Sequence, residues 1–141
     1  MRFLMLHVDF FKSALTEKGR SPVVEPPDPP VTVVENALVV LTSVEKQDEK
    51  APHQVAEKAA AEIAATATNL KVENVLLHPF AHLFAELSRP EMAVKVMDMV
   101  KEILLQKGYQ VSRTPFGWFN TLEIKAKGHP YSRVARIITP D

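Results

Sequence analysis

The sequence predicts one α/β domain, a mixed β-sheet with two main helices packed on it. Three observations carry this. Apolar residues recur at helical spacing over two stretches, His53–Leu70 and Met92–Lys107. A continuous β-branched and leucine run, Asn36–Val44, has the character of a strand covered on both faces. The elements then follow in the order β-β-α-β-α-β-β-β, which suits one layered sheet. With 141 residues, of which 46% are hydrophobic, the chain can bury one sizeable core, so residues 1–141 are expected to form one domain.

Arg2–Val8 reads as a buried first strand. It is apolar but reaches Asp9 too soon for a signal peptide and has no small-residue cleavage site. A polar stretch leads to Ser21–Pro30, where Pro22, Pro26, Pro27, Pro29 and Pro30 forbid regular structure and favour an extended, exposed loop. After the central strand, Pro52 precedes the first helix, whose buried stripe is expected to be Val55, Ala59, Ile63, Ala67 and Leu70. Val72–Leu77 is a third strand, ended by Pro79. Ser88-Arg89-Pro90-Glu91 has the form of a capping box with proline in the first turn. The helix that follows should bury Met92, Val96, Met99, Val100 and Ile103, and Gly108 stands where a left-handed cap belongs. Tyr109–Ser112 is a short strand. In Trp118–Lys127, Leu122, Ile124 and Ala126 alternate with Thr121, Glu123, Lys125 and Lys127, which predicts one buried and one solvated face. Arg133–Thr139 is the last strand. Pro140-Asp141 is an abrupt end, as expected of a piece of a longer polypeptide.

The formal net charge is zero, so nothing global marks a nucleic-acid binder. The distribution is uneven: residues 1–90 hold 9 basic and 12 acidic side chains, and residues 91–141 hold 8 and 5. The C-terminal third is therefore a candidate basic surface, or simply a solvated face. With no cysteine, thiolate catalysis, disulfides and cysteine-based zinc sites are excluded. No apolar run is long enough to span a bilayer, and the expected compartment is the cytoplasm.

The segments most suited to a small-molecule pocket are Leu77–Leu83, which contains His78-Pro79-Phe80-Ala81-His82, and Thr114–Phe119, which contains Pro115-Phe116-Gly117-Trp118. Each sets rigid, ring-lined backbone at a bend, and Ser43-Val44-Glu45-Lys46 supplies a third wall. His7, His78 and His82 are the candidate metal ligands, but the His78–His82 spacing crosses a Pro-Phe bend and no carboxylate cluster accompanies it, so no metal is expected. His82 is either a hydrogen-bonding or proton-carrying group of the pocket or a plain packed histidine. Asn120 shares strand parity with Leu122 and Ile124; its amide either ties down the neighbouring loop or donates to substrate or to an attacking water. Trp118 and Phe119 are core aromatics or stacking surfaces, and Lys46 is half of a surface pair with Glu45 or a phosphate contact. No nucleophile elbow, phosphate loop or dinucleotide glycine pattern occurs. An enzyme of this composition must rely on backbone N–H groups held at Pro/Gly bends and aimed at a developing oxyanion.

Ser43–Glu49, Pro79–Leu83 with Glu86-Leu87, and Pro115-Phe116-Gly117 followed by Lys127-Gly128-His129-Pro130 together resemble the N-terminal editing domain of archaeal threonyl-tRNA synthetases. The resemblance covers almost the whole chain in order and spacing. It implies a D-aminoacyl-tRNA deacylase-like fold, a homodimer, no cofactor, and hydrolysis of seryl-tRNA(Thr) with threonyl-tRNA(Thr) left intact. It further implies a tRNA 3′ end as partner, a threonyl-tRNA synthetase core in the same or a companion chain, and a substrate ribose hydroxyl that helps to activate the water. On this likeness the main chain around Val44 and Glu45 grips the aminoacyl group, the aromatics Trp118 and Phe119 meet the tRNA end, and Pro79-Phe80-Ala81 with Phe116-Gly117 form the walls. His82 and Asn120 are then the candidate catalytic side chains. Three positions depart from the family pattern: Phe119 and Asn120 stand where a tyrosine and a lysine often occur, and Arg133 where some members have a glutamate. The role of that lysine or glutamate does not carry over. A general D-aminoacyl-tRNA deacylase and a catalytically silent tRNA-end binding or dimerisation module are the competing expectations.

Overall fold

The apolar run read as a central strand is central. In a computed structural model that describes residues 1–83 and 85–141, β2 (Val31–Ser43) lies between β1 (Arg2–Lys18), antiparallel to it, and β3 (Asn74–Pro79), parallel to it. β4 (Gln110–Arg113) continues the sheet parallel to β3. On the far side β1 carries two strands end to end: β6 (Arg133–Ile137) pairs with Arg2–Leu6 and β5 (Trp118–Ala126) with Val8–Lys18. The helices are α1 (Pro52–Leu70) and α2 (Pro90–Gln106).

β1 runs ten residues beyond the expected Val8, and β2 begins at Val31 instead of Asn36. Both extensions were hidden by bends that break the period of two. The β1–β5 register shifts between Val8 and Phe10, and Asn36 adopts a left-handed φ of 47° on the facing part of β2. Inward residues therefore fall at Val8 and then Phe11, a spacing that does not read as alternation.

Helix α1 buries Val55, Ala59, Ile63 and Ala67 as expected, along with Ala56 and Ala60, whose short side chains let the helix approach closely. Helix α2 is turned slightly from the expected face: Ala93, Val96, Met97, Val100 and Leu104 are buried, while Met92, Met99 and Ile103 are partly covered at its margins. Its start also differs. The N-cap is Arg89, with Pro90 in the first turn, and the Ser88 hydroxyl donates to the Arg89 carbonyl instead of capping the helix. The Arg89 N–H is satisfied from outside by the Glu49 carboxylate at 2.9 Å. At the other end Gly108 has a φ of 97°, and the Gly108 and Tyr109 N–H groups close on the Leu105 and Leu104 carbonyls at 3.0 and 3.2 Å.

The helices cover one face of the sheet over Phe3, Met5, Leu38, Val40, Val75 and Leu77. A second, smaller cluster, with Leu6, Val8, Phe11, Val39, Leu41 and Leu76, lies on the other face. β5 departs from expectation here. Its alternation is present, but Leu122 and Ile124 remain 36% and 39% exposed, because β5 is an edge strand that no helix covers. Among the described residues, no helix is long and apolar enough to cross a membrane.

Candidate functional site

Because β2, β3 and β4 run parallel, their carboxyl ends fall on one edge of the sheet. Ser43–Lys46 follows β2, Phe80–His82 follows β3, and Thr114–Gly117 follows β4. Topology thus brings together three segments that lie far apart in sequence, at the strand ends where ligand crevices form in sheets of this kind. A cavity of about 570 Å³ opens there.

The walls are cross-linked by main-chain hydrogen bonds. The Phe80 N–H donates to the Thr42 carbonyl at 2.8 Å, and the Thr114 N–H to the Leu77 carbonyl at 3.1 Å. The Ser43 hydroxyl donates to the Phe80 carbonyl, and the Ser88 N–H to the Val44 carbonyl at 3.0 Å. By contrast, the N–H groups of Val44, Ala81 and Gly117 have no acceptor among the described residues. Backbone donors without an acceptor, on residues that line a cavity, are candidates to bind a carbonyl oxygen, or the oxyanion it becomes.

The expected site residues divide into two groups. Val44, Pro79, Phe80, Ala81 and His82 line the cavity from one side, and Phe116, Gly117, Trp118, Phe119 and Asn120 from the other. Glu45 and Lys46 do not line it. The Glu45 carboxylate is 6% exposed and engaged elsewhere, accepting from the Met1 ammonium at 3.0 Å and from Arg2 Nε at 3.3 Å. Its N–H donates to Asp48 Oδ2 at 2.7 Å. Lys46 points outward, 3.6 Å from Glu86. The Glu45 bonds fix the loop after β2. His82 is exposed, with its ring edge-on to Phe80 at 5.1 Å. The Asn120 amide is half-buried and makes no hydrogen bond with the described residues, so it does not tie the loop. Phe119 is 54% exposed at the rim. Arg133 is remote from the cavity, its guanidinium 3.3 Å from the Ser132 hydroxyl.

Sequence reasoning missed the strap that closes the site. Gly19–Pro22 form part of the wall, and the prolines read as a free loop are pinned through Glu25. The Glu25 carboxylate takes two bonds from Arg113, at 2.6 and 2.7 Å, and one from the Phe116 N–H at 2.7 Å. The hydrogen bond from Arg113, with the Phe116 N–H adding to it, holds the Glu25 carboxyl below the usual carboxylate range against the opposing effect of burial. The Glu25 main chain adds bonds to Phe116 and to the Trp118 indole, at 3.0 and 2.8 Å. Gly117, at a φ of 93°, lies directly under the strap: a β-carbon there would be 2.5 Å from the Val23 carbonyl oxygen. Nothing in the local sequence announces a contact between residues 25 and 113. His78, on the cavity wall, and Thr114 behind it form the other missed pair.

Arg20 is the only charged residue lining the cavity among the described residues. No carboxylate or lysine faces the enclosed space, and no group of three or more His, Asp or Glu side chains is arranged to hold a metal among those residues. The chemistry available to the site is hydrogen bonding by backbone, imidazole, hydroxyl and amide groups in a ring-lined hollow, with Arg20 as its charged group among the described residues.

Comparison with known proteins fits this geometry. The family model described as the archaea-specific editing domain of threonyl-tRNA synthetase matches residues 1–138. The chain is 40% identical over 141 residues to a threonine–tRNA ligase of Methanococcus aeolicus, and 37% identical over 142 residues to one of Thermococcus kodakarensis. The match takes in all of this chain and 22% and 23% of those proteins, so the chain spans less than a quarter of their length. Among solved structures, the c-Myc DNA unwinding element binding protein superposes with a TM-score of 0.65 at 13% identity, covering 97% of this chain and 98% of that one. That likeness establishes the fold alone, a single α/β domain with a mixed sheet and two helices.

Proposed function

The chain belongs to the archaea-specific editing domain of threonyl-tRNA synthetase, and from that premise we propose that its cavity hydrolyses seryl-tRNA(Thr) and spares threonyl-tRNA(Thr). The observation that carries the reading is the make-up of the wall among the described residues: Val44, Ala81 and Gly117, whose N–H groups have no acceptor there, line a cavity with a single charged lining residue. Water adds to the ester carbonyl, the bond to the ribose oxygen breaks, and serine leaves with a free tRNA 3′ end. The backbone donors stabilise the negative oxygen of the intermediate. With no carboxylate or lysine in the wall, the ribose hydroxyl beside the ester takes the part of the base, and the His82 and Asn120 side chains orient the water.

Selectivity follows from size. Serine and threonine differ by one methyl, which a site built to accept threonine can use for only about 1–3 kcal/mol of discrimination. A tighter second pocket reverses the test, and walls fixed by Pro79, Phe80, Phe116 and Gly117 hold such a tolerance better than flexible side chains. Phe119 and Trp118 then meet the terminal bases, and Arg20 at the rim the last phosphate. The homodimer belongs to the same proposal, with the exposed Leu122 and Ile124 as the surface a second copy covers. So does action in the cytoplasm beside a threonyl-tRNA synthetase core.

The test is hydrolysis of both esters side by side, near pH 7. Loss of the serine ester at least about 100-fold faster than the threonine ester is expected. In the same assay Arg20→Ala should raise KM and flatten its dependence on salt by about one phosphate contact. Background decay of both esters would overturn the reading and leave a module that binds the tRNA end without chemistry.

A further inference from the structure

His78 ends the buried part of β3, pairs in register with Leu41, and is 2% exposed, yet it is among the residues that line the cavity. The ring packs edge-on against Phe11, with centroids 5.5 Å apart. Nδ1 lies 2.7 Å from the hydroxyl oxygen of Thr114, itself 1% exposed. That hydroxyl has no other partner among the described residues. Were Nδ1 the donor, the buried Thr114 hydrogen would have no acceptor, so the favoured arrangement has Thr114 donating to Nδ1. The ring proton then sits on Nε2, which makes no hydrogen bond with the described residues. Burial lowers the imidazole pKa to about 4, so the ring stays neutral around pH 7. The result is an N–H donor with no partner among the described residues, its tautomer fixed by Thr114, on a buried residue of the cavity lining.

Resting on the seryl-ester reading, we propose that His78 Nε2–H is a specificity-determining donor to the side-chain hydroxyl oxygen of the bound seryl group. The body of the tRNA is too large for a cavity of about 570 Å³, so on this reading the ester lies toward the exposed residues Ala81, His82 and Phe119. The amino-acid side chain is the part that reaches inward. A pocket that excludes the methyl of threonine by size does nothing against smaller groups. A buried donor does, because an ester without a hydroxyl leaves Nε2–H unpaired.

The experiment compares seryl-tRNA(Thr) with alanyl-tRNA(Thr) on the 141-residue chain. The wild type should favour the serine ester by about 100-fold or more in kcat/KM. His78→Phe, which keeps a ring beside Phe11 but has no donor, should reduce the preference to less than about 10-fold. His78→Asn, which restores an N–H donor, should recover part of it. Thr114→Val, which releases the tautomer, should give an intermediate preference. Equal wild-type rates on the two esters, or a full preference in His78→Phe, would overturn the inference while leaving seryl hydrolysis standing. Hydrolysis of neither ester would defeat the functional reading instead. In that event nitrogen-15 NMR of the histidine rings decides the inference alone. An Nε2–H tautomer whose signal moves with a non-hydrolysable seryl-adenosine amide, and not with its alanyl counterpart, supports it. An Nδ1–H tautomer or an unmoved signal overturns it.

Discussion

Gly117→Ala is expected to cut hydrolysis of the seryl ester steeply and to destabilise the fold. The residue sits at a φ of 93°, a conformation that costs a side chain about 1–2 kcal/mol. Its new β-carbon would also meet backbone on the strap, 2.5 Å from the Val23 oxygen and 2.9 Å from the Val24 α-carbon. Backbone cannot rotate away as a side chain can, so the strap and the Phe116-Gly117 wall must separate. The Gly19 N–H bond to the Gly117 carbonyl, at 2.7 Å, goes with them. We expect kcat/KM on seryl-tRNA(Thr) to fall at least about 100-fold, since misplacement by about 1 Å is enough for that. Stability should fall by about 2–4 kcal/mol in urea denaturation. Gly108→Ala is the matched control. Its φ is 97°, but a β-carbon there meets nothing within 4 Å. That variant should lose only about 1–2 kcal/mol and keep its rate. Full activity in Gly117→Ala would sink the assignment of this wall.

The second large effect is expected at Glu25. One carboxylate joins the Arg113 guanidinium, whose side chain is 9% exposed, to the Phe116 N–H, and so ties the strap to the cavity wall. Removing one partner of a fully buried ion pair costs about 3–5 kcal/mol. Glu25 is a quarter exposed and Arg113 retains Asp98 at 3.0 Å, so Glu25→Gln should cost about 1–3 kcal/mol. The rate should fall as well, by about 10-fold or more, because the wall loses its fixed position. Acid should act in the same direction. The Glu25 pKa is depressed in the folded state, so its contribution is complete above the ordinary carboxylate value and disappears as pH falls through the lower folded value. Urea midpoints of the wild type should therefore drop more steeply below about pH 4.5 than those of Glu25→Gln. Parallel curves for the two proteins would show that the clamp contributes nothing to folding.

These two residues also show where the sequence was informative and where it was silent. The positions that make bends announced themselves: Pro79-Phe80 and Pro115-Phe116-Gly117 interrupt regular elements, and both line the cavity. The Asn36–Val44 run marked the central strand because burial on both faces leaves no alternation to misread. The β1–β2 bend did not show, since the two turned residues, near Asp9 and at Asn36, look polar and final in a linear reading. Leu122 and Ile124 alternated correctly, but alternation gives a side and not a cover, and the edge position of β5 is a property of topology. The Glu25–Arg113 clamp and the His78–Thr114 pair join residues 88 and 36 positions apart. No local pattern encodes such contacts. Once β4 is placed beside β3 and the strap beside both, they follow from the fold.

The claim at the centre is that the cavity hydrolyses its ester without a charged protein base. It is tested most directly with seryl-tRNA(Thr) whose terminal ribose lacks the hydroxyl next to the ester. The account predicts hydrolysis at least about 100-fold slower than with the natural ribose, the size of a lost general base. An unchanged rate would place the base on the protein and contradict it.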